Sequence, residues 1–451
     1  MACIRSWYKC VLVALLGALL LPMAAQEHAD AAAVLTLDQA IQLALANNRN
    51  LKIVSLSLDN SREQVSIART QRLPAFNSYV FGSQVLTPLN FIVPAGQFGK
   101  YPGIGPIPAQ NTPIGNSPAP SAYIVASAVQ PLLTLHKVNL QVKAQQLTVE
   151  QGAENLRNTR IGLVDQVRQA YYSVLEIQDA LRATQASIKQ YEELDRITLE
   201  FVSQKVALES DSLAVKAKLA EQRYTLLQYR DKLSTGKENL NDLLGRDIMI
   251  DFEPQQVTDI APVEDNLADA QARALAQHPQ IKLGEISVKQ ADMQRRLAKS
   301  QYVPDINAAF HYISPFGVNF LPSNVAAVGV EMTWVPFDWG KRRDQVNSAA
   351  IALDQSRLNL EETKSQVLLN LDNQFRLLHE AREAVSVAQA QRDASQQKMR
   401  EVASQYQQQT ALLRDALQQQ AAVEAANSSY SQALANFWTA KANFQKALGE
   451  E

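Results

Sequence analysis

The sequence predicts an α+β membrane protein in which a long α-helical coiled-coil barrel continues into a transmembrane β-barrel shared between copies. Three observations support this fold class. Two proline-free stretches carry apolar residues at coiled-coil spacing, four short segments have the length and low charge of membrane strands, and the whole arrangement occurs twice in the chain. Elongated helices and two internal repeats are therefore expected, rather than a compact globular domain.

The first 25 residues have the layout of a secretory signal peptide. Arg5 and Lys9 form its positive part, residues 11–21 an apolar core, and residues 23–25 a small-residue cleavage site. The apolar run is shorter than the ~20 residues that a membrane-spanning helix needs. We therefore predict an exported bacterial protein. Both cysteines of the chain, Cys3 and Cys10, lie in this segment, so no disulfide or cysteine metal site is expected after export.

Charge and composition exclude several classes of function. The formal net charge is −2, from 43 Lys and Arg against 45 Asp and Glu, so nucleic acid has no electrostatic reason to bind. None of the five histidines forms an i, i+4 pair, which a helical zinc site would require. We expect no enzymatic activity and no cofactor.

The long helices are predicted from a 3.5-residue repeat. In the first one, apolar positions step by four and three in strict alternation: Leu163, Val167, Ala170, Val174, Ile177, Leu181, Thr184, Ile188 and Tyr191. This pattern predicts a helix over about 132–201, roughly 105 Å long at 1.5 Å per residue. A comparable stretch predicts a second long helix over about 340–405.

The internal repeat is visible when the sequence is shifted against itself. A shift of 230 places residues 44–52 on residues 274–282, and a shift of 204 aligns the helices that follow the long ones, about 208–245 and 411–448. Seven-spaced apolar residues then coincide: Leu219, Leu226, Leu233 and Leu240 with Val423, Tyr430, Phe437 and Phe444. We predict a first repeat over 26–262, a second over 263–451, and burial of these eight side chains between helices.

Each repeat contains one predicted pair of strands, at about 76–85 and 121–130 and at about 306–313 and 325–335. Between Leu73 and Leu135 the only charged residue is Lys100. The second pair alternates, with Ile306, Ala308, Phe310 and Tyr312 on one side of its first strand. An ordinary hairpin packed on a soluble core is the alternative. Residues 88–120 contain thirteen Gly and Pro and predict a long loop without helix or regular strand.

Four strands cannot close a barrel, and lipid does not tolerate an open sheet edge. Several chains must therefore share one barrel. Three chains would supply twelve strands, although the residues alone leave the number of copies open.

The chain resembles the TolC-type outer-membrane efflux family. The resemblance is carried by residues 37–41 leading to 44–48, by their copy through His278 and Pro279, and by residues 334–342, Trp-Val-Pro-Phe-Asp-Trp-Gly-Lys-Arg. Trp339 stands where a glycine is commoner in the family. The resemblance implies a homotrimer with a twelve-stranded barrel in the outer membrane and a helical tunnel in the periplasm. It further implies a passive exit duct for drug efflux or type I secretion, with a periplasmic adaptor protein and an inner-membrane pump or ABC exporter as partners.

In this family the periplasmic tip of the tunnel is held shut by an aspartate ring and by links from a tyrosine or an arginine to an aspartate. The resemblance therefore implies a candidate gate at the two tips, residues 201–213 and 406–418. Its members are Asp211, Tyr406, Arg414, Asp415 and Gln418. Ala411 stands in place of a linking arginine and Gln418 in place of a second aspartate, so only part of the linkage is expected here.

A second candidate site is an aromatic girdle at the membrane interface, formed by Trp334, Phe337 and Trp339. Burial against a neighbouring helix is the alternative for these side chains. Two other functions compete with the duct: a periplasmic adaptor-like protein and a purely structural coiled coil. Neither would need two pairs of strands so poor in charged residues.

Overall fold

The computed structural model describes residues 33–87, 89–116, 120–257, 266–317 and 322–450. The predicted signal peptide, residues 1–25, lies outside these ranges. The first half contains β1 (Ala33–Leu35), α1 (Leu37–Asn47), α2 (Arg49–Thr70), β2 (Ala75–Gln84), β3 (Leu89–Val93), β4 (Lys100–Tyr101), β5 (Gly105–Pro106), β6 (Thr112–Asn116), β7 (Pro120–Pro131), α3 (Leu135–Ser203), α4 (Glu209–Leu243) and β8 (Phe252–Pro254). The second half contains α5 (Leu267–Gln277), α6 (Pro279–Ser300), β9 (Asp305–Phe316), β10 (Val325–Thr333), α7 (Lys341–Gln407) and α8 (Leu413–Leu448).

Two very long helices form the frame of the molecule. α3 has 69 residues and α7 has 67, so each is roughly 100 Å long. α2 and α4 pack along α3, while α6 and α8 pack along α7. The two halves are joined because α3 also packs against α6 and α8. In the described parts of the chain, no α-helix is both long enough and apolar enough to cross a bilayer.

Four short elements, β1, α1, β8 and α5, lie against the middle of the long helices and are called the belt here. Thr36 begins α1 with a capping box, in which its Oγ1 accepts from the Gln39 N–H at 3.1 Å. β1 pairs in parallel with β8. The fully buried Tyr171 of α3 places its hydroxyl 2.8 Å from the Leu35 carbonyl oxygen and 2.9 Å from that of Gln255. The Tyr171 hydroxyl therefore links β1 and the residue after β8, both part of the belt region, to α3.

A glycine closes the last helix of each half against the end of that half's first helix. Gly245 has φ +68° and follows α4, while Gly449 has φ +78° and follows α8. A Cβ on Gly245 would lie 2.4 Å from the carbonyl oxygen of Asn47, and one on Gly449 would lie 3.0 Å from Cα of His278. These equivalent contacts show the same repeat that the sequence shifts predict.

The apolar core is divided into two clusters. A large one surrounds Tyr171, Leu240 and Phe437, and a smaller one near the tips contains Tyr191 and Tyr406. Of the eight seven-spaced residues, five are buried, but Leu226, Leu233 and Tyr430 are only half-buried. The expectation of full burial is therefore wrong for these three. Tyr430 packs on the edge of the large cluster, while Leu226 and Leu233 belong to neither cluster.

The membrane-type strands form one antiparallel sheet in the order β10-β9-β7-β2. The register brings apolar residues of all four strands together on one face, because Met332 lies opposite Ile306, and Phe310 and Phe76 both lie opposite Ala128 of β7. The other face is mixed and includes Tyr79, Phe81, Tyr123 and Val125. The side chains of the first face are exposed, at 84% for Val328 and 78% for Phe76. The sheet therefore presents an unpartnered apolar face, as a wall against lipid requires.

The loop between β2 and β7 differs from its prediction. It contains regular strands, since β3 pairs with β6 and β4 pairs with β5, both antiparallel. Glycines at positions 96, 99, 103 and 105 have positive φ and provide the turns. The high Gly and Pro content thus marks the turns of two small hairpins rather than an unstructured loop.

Candidate functional site

Both helical tips end in the same backbone motif. At the end of α3, Val206 N–H donates to Phe201 O at 2.9 Å and Lys205 N–H donates to Val202 O at 3.0 Å. At the end of α7, Thr410 N–H and Gln409 N–H make the equivalent bonds to Gln405 and Tyr406. This is the Schellman motif, whose turning residue has left-handed backbone torsions. Lys205 (φ 60°) and Gln409 (φ 59°) take that position without being glycine.

The two aspartates of the candidate gate cap the helices that leave the tips. Asp211 Oδ2 accepts from the Leu208 N–H at 3.2 Å, and Asp415 Oδ2 accepts from the Leu412 N–H at 3.3 Å. A carboxylate in the first turn is also favoured by the helix dipole. The structure therefore gives each aspartate a local partner within its own turn.

The Tyr406 hydroxyl has a hydrogen-bond partner other than the aspartate that the family resemblance implies. Its hydroxyl lies 3.0 Å from Oγ1 of Thr198, a residue of α3 that is fully buried. Thr198 donates its own proton to the Leu194 carbonyl at 2.7 Å, so the tyrosine must be the donor in the bond between them. Phe201 packs edge-to-face on the Tyr406 ring, with 5.5 Å between centroids. Tyr406 and Asp211 make no hydrogen bond to each other in this chain.

Burial raises the pKa of the Tyr406 hydroxyl, and the negative charge of nearby Asp211 raises this pKa further. The phenol therefore stays protonated and remains a hydrogen-bond donor well above neutral pH. Asp211 is close enough to act on Tyr406 electrostatically, although the hydrogen bond goes to Thr198.

The remaining gate candidates are on the surface of α8. Arg414 lies 3.6 Å from Asp415 with its side chain 81% exposed, and Gln418 is also exposed. An exposed ion pair of this kind contributes little to stability, about 0–1 kcal/mol. These two side chains therefore do not fasten the tip within one chain.

The aromatic candidates surround the turn from β10 into α7. The side chains of Trp334, Phe337 and Trp339 are 52%, 67% and 89% exposed. The rings of Phe337 and Trp339 pack edge-to-face, with 4.7 Å between their centroids. Trp334 continues the even-numbered, apolar face of β10. Trp339 has φ 57°, a conformation that favours glycine and accounts for the family's preference at this position.

Asp338 fixes this turn. Its carboxylate accepts from the N–H groups of Gly340 and Arg342 at 3.2 and 3.1 Å and from Arg342 Nε at 2.6 Å. Arg342 also lies over the ring of Tyr302 at the end of α6. These hydrogen bonds lower the pKa of the Asp338 carboxyl below its usual value. The Asp-x-Gly-basic motif is therefore a structural connection between sheet and helices.

Sequence reasoning found Tyr406 but missed Thr198. A signal existed, because Thr198 continues the four-three seam of α3 beyond Tyr191, and a hydroxyl on an apolar seam needs a partner. Among the described residues, no group of three or more His, Cys, Asp or Glu side chains is placed to hold a metal ion. The arrangement joins two helix ends and caps the helices that follow them.

Comparison with known proteins gives a family match. The sequence matches the outer membrane efflux protein family over residues 40–246 and 271–450. It is 26% identical over 278 residues to the probable efflux pump outer membrane protein TtgC of Pseudomonas putida. That alignment covers 60% of this chain and 52% of the relative, so the chain spans about half the length of this relative.

Solved structures share the fold. The outer-membrane channel OprN superposes with a TM-score of 0.75 and 18% identity, over 92% of this chain and 90% of that one. The CmeC outer membrane channel of Campylobacter jejuni gives a TM-score of 0.75 and 16% identity, over 92% and 85% of the two chains. At these identities the likeness concerns the fold.

Proposed function

Because the chain belongs to the outer membrane efflux protein family, we propose that it is a passive exit duct across the outer membrane, built from three copies. A periplasmic adaptor and an inner-membrane pump or ABC exporter would deliver substrates to it, in drug efflux or in type I secretion. The observation that carries this proposal is the four-stranded amphipathic sheet with both edges open, attached to a helical bundle about 100 Å long.

The open edges demand a partner of the same kind. β10 and β2 are the outer strands, and a sheet in lipid cannot leave their N–H and C=O groups unpaired. Apolar side chains are also exposed on the outer helices at the same two sides of the molecule. They are Ile351, Leu358 and Leu369 on α7, Ile53, Leu56 and Ile67 on α2, and Tyr224 and Leu227 on α4.

The internal repeat supplies a template for the contact between copies. Within the chain, β7 of the first half pairs with β9 of the second, and α3 packs against α6 and α8. In the repeat, β10 and α7 correspond to β7 and α3. β10 should therefore pair with β2 of the next copy, and α7 should pack against its α2 and α4. Repetition of this contact closes a ring.

The register of that pairing follows from the same template. Ala126 of β7 lies opposite Tyr312 of β9. In the repeat, Ala126 corresponds to Val330, which is 204 residues later, and Tyr312 corresponds to Gly82, which is 230 residues earlier. Val330 should thus lie opposite Gly82 of the neighbouring copy. Both belong to the apolar face of the sheet, so the pairing keeps that face continuous around the ring.

Cysteine pairs test this arrangement. In protein with Cys3 and Cys10 replaced by serine, V330C with G82C should form disulfides between copies on oxidation, because opposite antiparallel residues have suitable Cα separations. V330C with S83C is the matched control, since residue 83 points to the other face. The product should migrate as dimers and trimers from an outer-membrane fraction. A water-soluble monomer, or equal cross-linking in both variants, would contradict the proposal.

Deletion of the gene separates the two transport roles. Loss of drug tolerance with normal protein secretion indicates efflux, and the reverse result indicates type I secretion. Family membership argues against the adaptor-like and purely structural alternatives. The two strand pairs argue against them as well, because neither alternative would need such strands.

A further inference from the structure

The four barrel strands carry very few charges. β2 and β7 contain none, β10 contains Glu331, and β9 contains Asp305 together with His311. Asp305 is neutralised by Lys137 of α3, whose Nζ lies 2.7 Å from its carboxylate. Glu331 is therefore the carboxylate that gives these strands their net charge.

The register determines which face carries this charge. Glu331 lies opposite Asn307, and both alternate with the apolar residues Val330, Met332 and Ile306. Their face is mixed: it also holds polar side chains and aromatic or aliphatic ones, namely Asn77, Ser127, Thr333 and His311 together with Tyr79, Phe81, Tyr123, Val125, Val129 and Ile313. Since the opposite face is apolar and suits lipid, the exposed side chain of Glu331 points to the interior of the shared barrel.

The size of the barrel decides whether one carboxylate per copy matters. Twelve strands spaced about 4.8 Å apart and tilted about 40° give a backbone diameter of roughly 24 Å. Side chains leave a lumen with a radius of about 7–8 Å. This radius is close to the Debye length of about 8 Å at 0.15 M salt, so an ion on the axis is incompletely screened from three carboxylates at one level.

We infer that Glu331 forms a ring of three carboxylates inside the barrel, near its periplasmic end, and makes the duct prefer cations over anions. This inference rests on the proposed function, because the ring exists only when copies share a barrel. The substrate class that it favours is cationic, from inorganic cations to positively charged organic molecules. The tip aspartates Asp211 and Asp415 are the competing origin of such a preference.

Reversal potentials of the purified protein in planar bilayers under a KCl gradient test the inference. The unmodified duct should prefer K⁺, E331Q should reduce the K⁺/Cl⁻ permeability ratio at least two-fold, and E331K should favour Cl⁻. E331D keeps the charge and should keep the ratio. T333Q, which adds a neutral amide on the same face of the same strand, should also keep it. The preference should weaken as salt rises from 0.01 to 1 M, where the Debye length falls from about 30 to 3 Å.

The outcomes separate this inference from the proposed function. Channels whose ratio is unchanged in E331Q and E331K, or changes only in a D211N and D415N variant, overturn the role of Glu331 and leave the duct intact. Correctly folded protein that forms no channels at all overturns both.

Discussion

The hydroxyl of Tyr406 lies 3.0 Å from Oγ1 of Thr198, a residue 208 positions earlier in the chain. This hydrogen bond joins the ends of the two long helices α3 and α7. Both side chains are buried, at 5% and 0% exposure, in the small apolar cluster at the tips. A donor and an acceptor in such surroundings are costly to separate. A tyrosine–threonine hydrogen bond therefore links α3 and α7 at the tip.

Removal of this pair should loosen the tip. We expect Y406F to lower the free energy of unfolding by about 1 kcal/mol, and T198V by about 1–3 kcal/mol because it leaves the tyrosine hydroxyl unpaired. The double variant should lose less than the sum of the two and should show raised conductance in planar bilayers. Y101F, which changes an exposed tyrosine of β4, is the control. Additive losses with unchanged conductance would mean that the pair does not act as a latch.

Glycine at the turning position of a tip should stabilise the protein. Gln409 has φ 59°, whereas its neighbour Gln408 has φ −83°. Q409G should raise the free energy of unfolding by about 1 kcal/mol, because it removes the steric cost of the left-handed conformation. Q408G should instead lower it. Chemical unfolding in detergent at one protein concentration measures both, and the same sign for the two variants would refute the strain.

Alkaline pH should destabilise the belt around the helices. Burial raises the pKa of Tyr171 to about 12, against 10 for a free tyrosine. Between pH 10 and 12 the unfolded chain ionises first, so stability present below pH 10 falls by about 2–3 kcal/mol over this window. Urea unfolding at stepped pH measures the slope. Y171F should reduce the slope by the share of one tyrosine, because Tyr172, Tyr191 and Tyr406 also have raised pKa values, and it should lower stability at pH 8. Y101F, which changes an exposed tyrosine of β4, should leave the slope unchanged.

A partly buried ion pair connects α3 to α8. Lys446 Nζ lies 2.8 Å from Asp165; the lysine side chain is 51% exposed and the aspartate side chain only 2%. K446M should lower the free energy of unfolding by about 1–3 kcal/mol, because the buried carboxylate loses its cation and keeps only the hydrogen bond from Gln169 Nε2. D165N combined with K446M should recover most of this loss, since no charge is left unpaired. A double variant as unstable as K446M would show that packing rather than charge is responsible.

The candidate site was only partly predictable. The resemblance to the TolC-type family points to Tyr406 and Asp415, but the hydroxyl partner Thr198 becomes identifiable only when α3 and α7 are brought side by side. The same resemblance predicts Asp211 and Asp415 as members of a gate, and the structure shows that each caps its own helix. The hairpins β3–β6 and β4–β5 were missed because glycine and proline content reports turns without reporting what the turns connect.

The sequence by itself determined the features that depend on neighbouring residues: the two long helices, the alternating strands, the capping box at Thr36 and the internal repeat. These follow from local periodicity and local hydrogen bonding, so a linear pattern contains them. Only the tertiary structure decided the strand order β10-β9-β7-β2, the partner of Tyr406 and the incomplete burial of Leu226 and Leu233. Each of these depends on which distant segments share one interior, and no spacing along the chain specifies that.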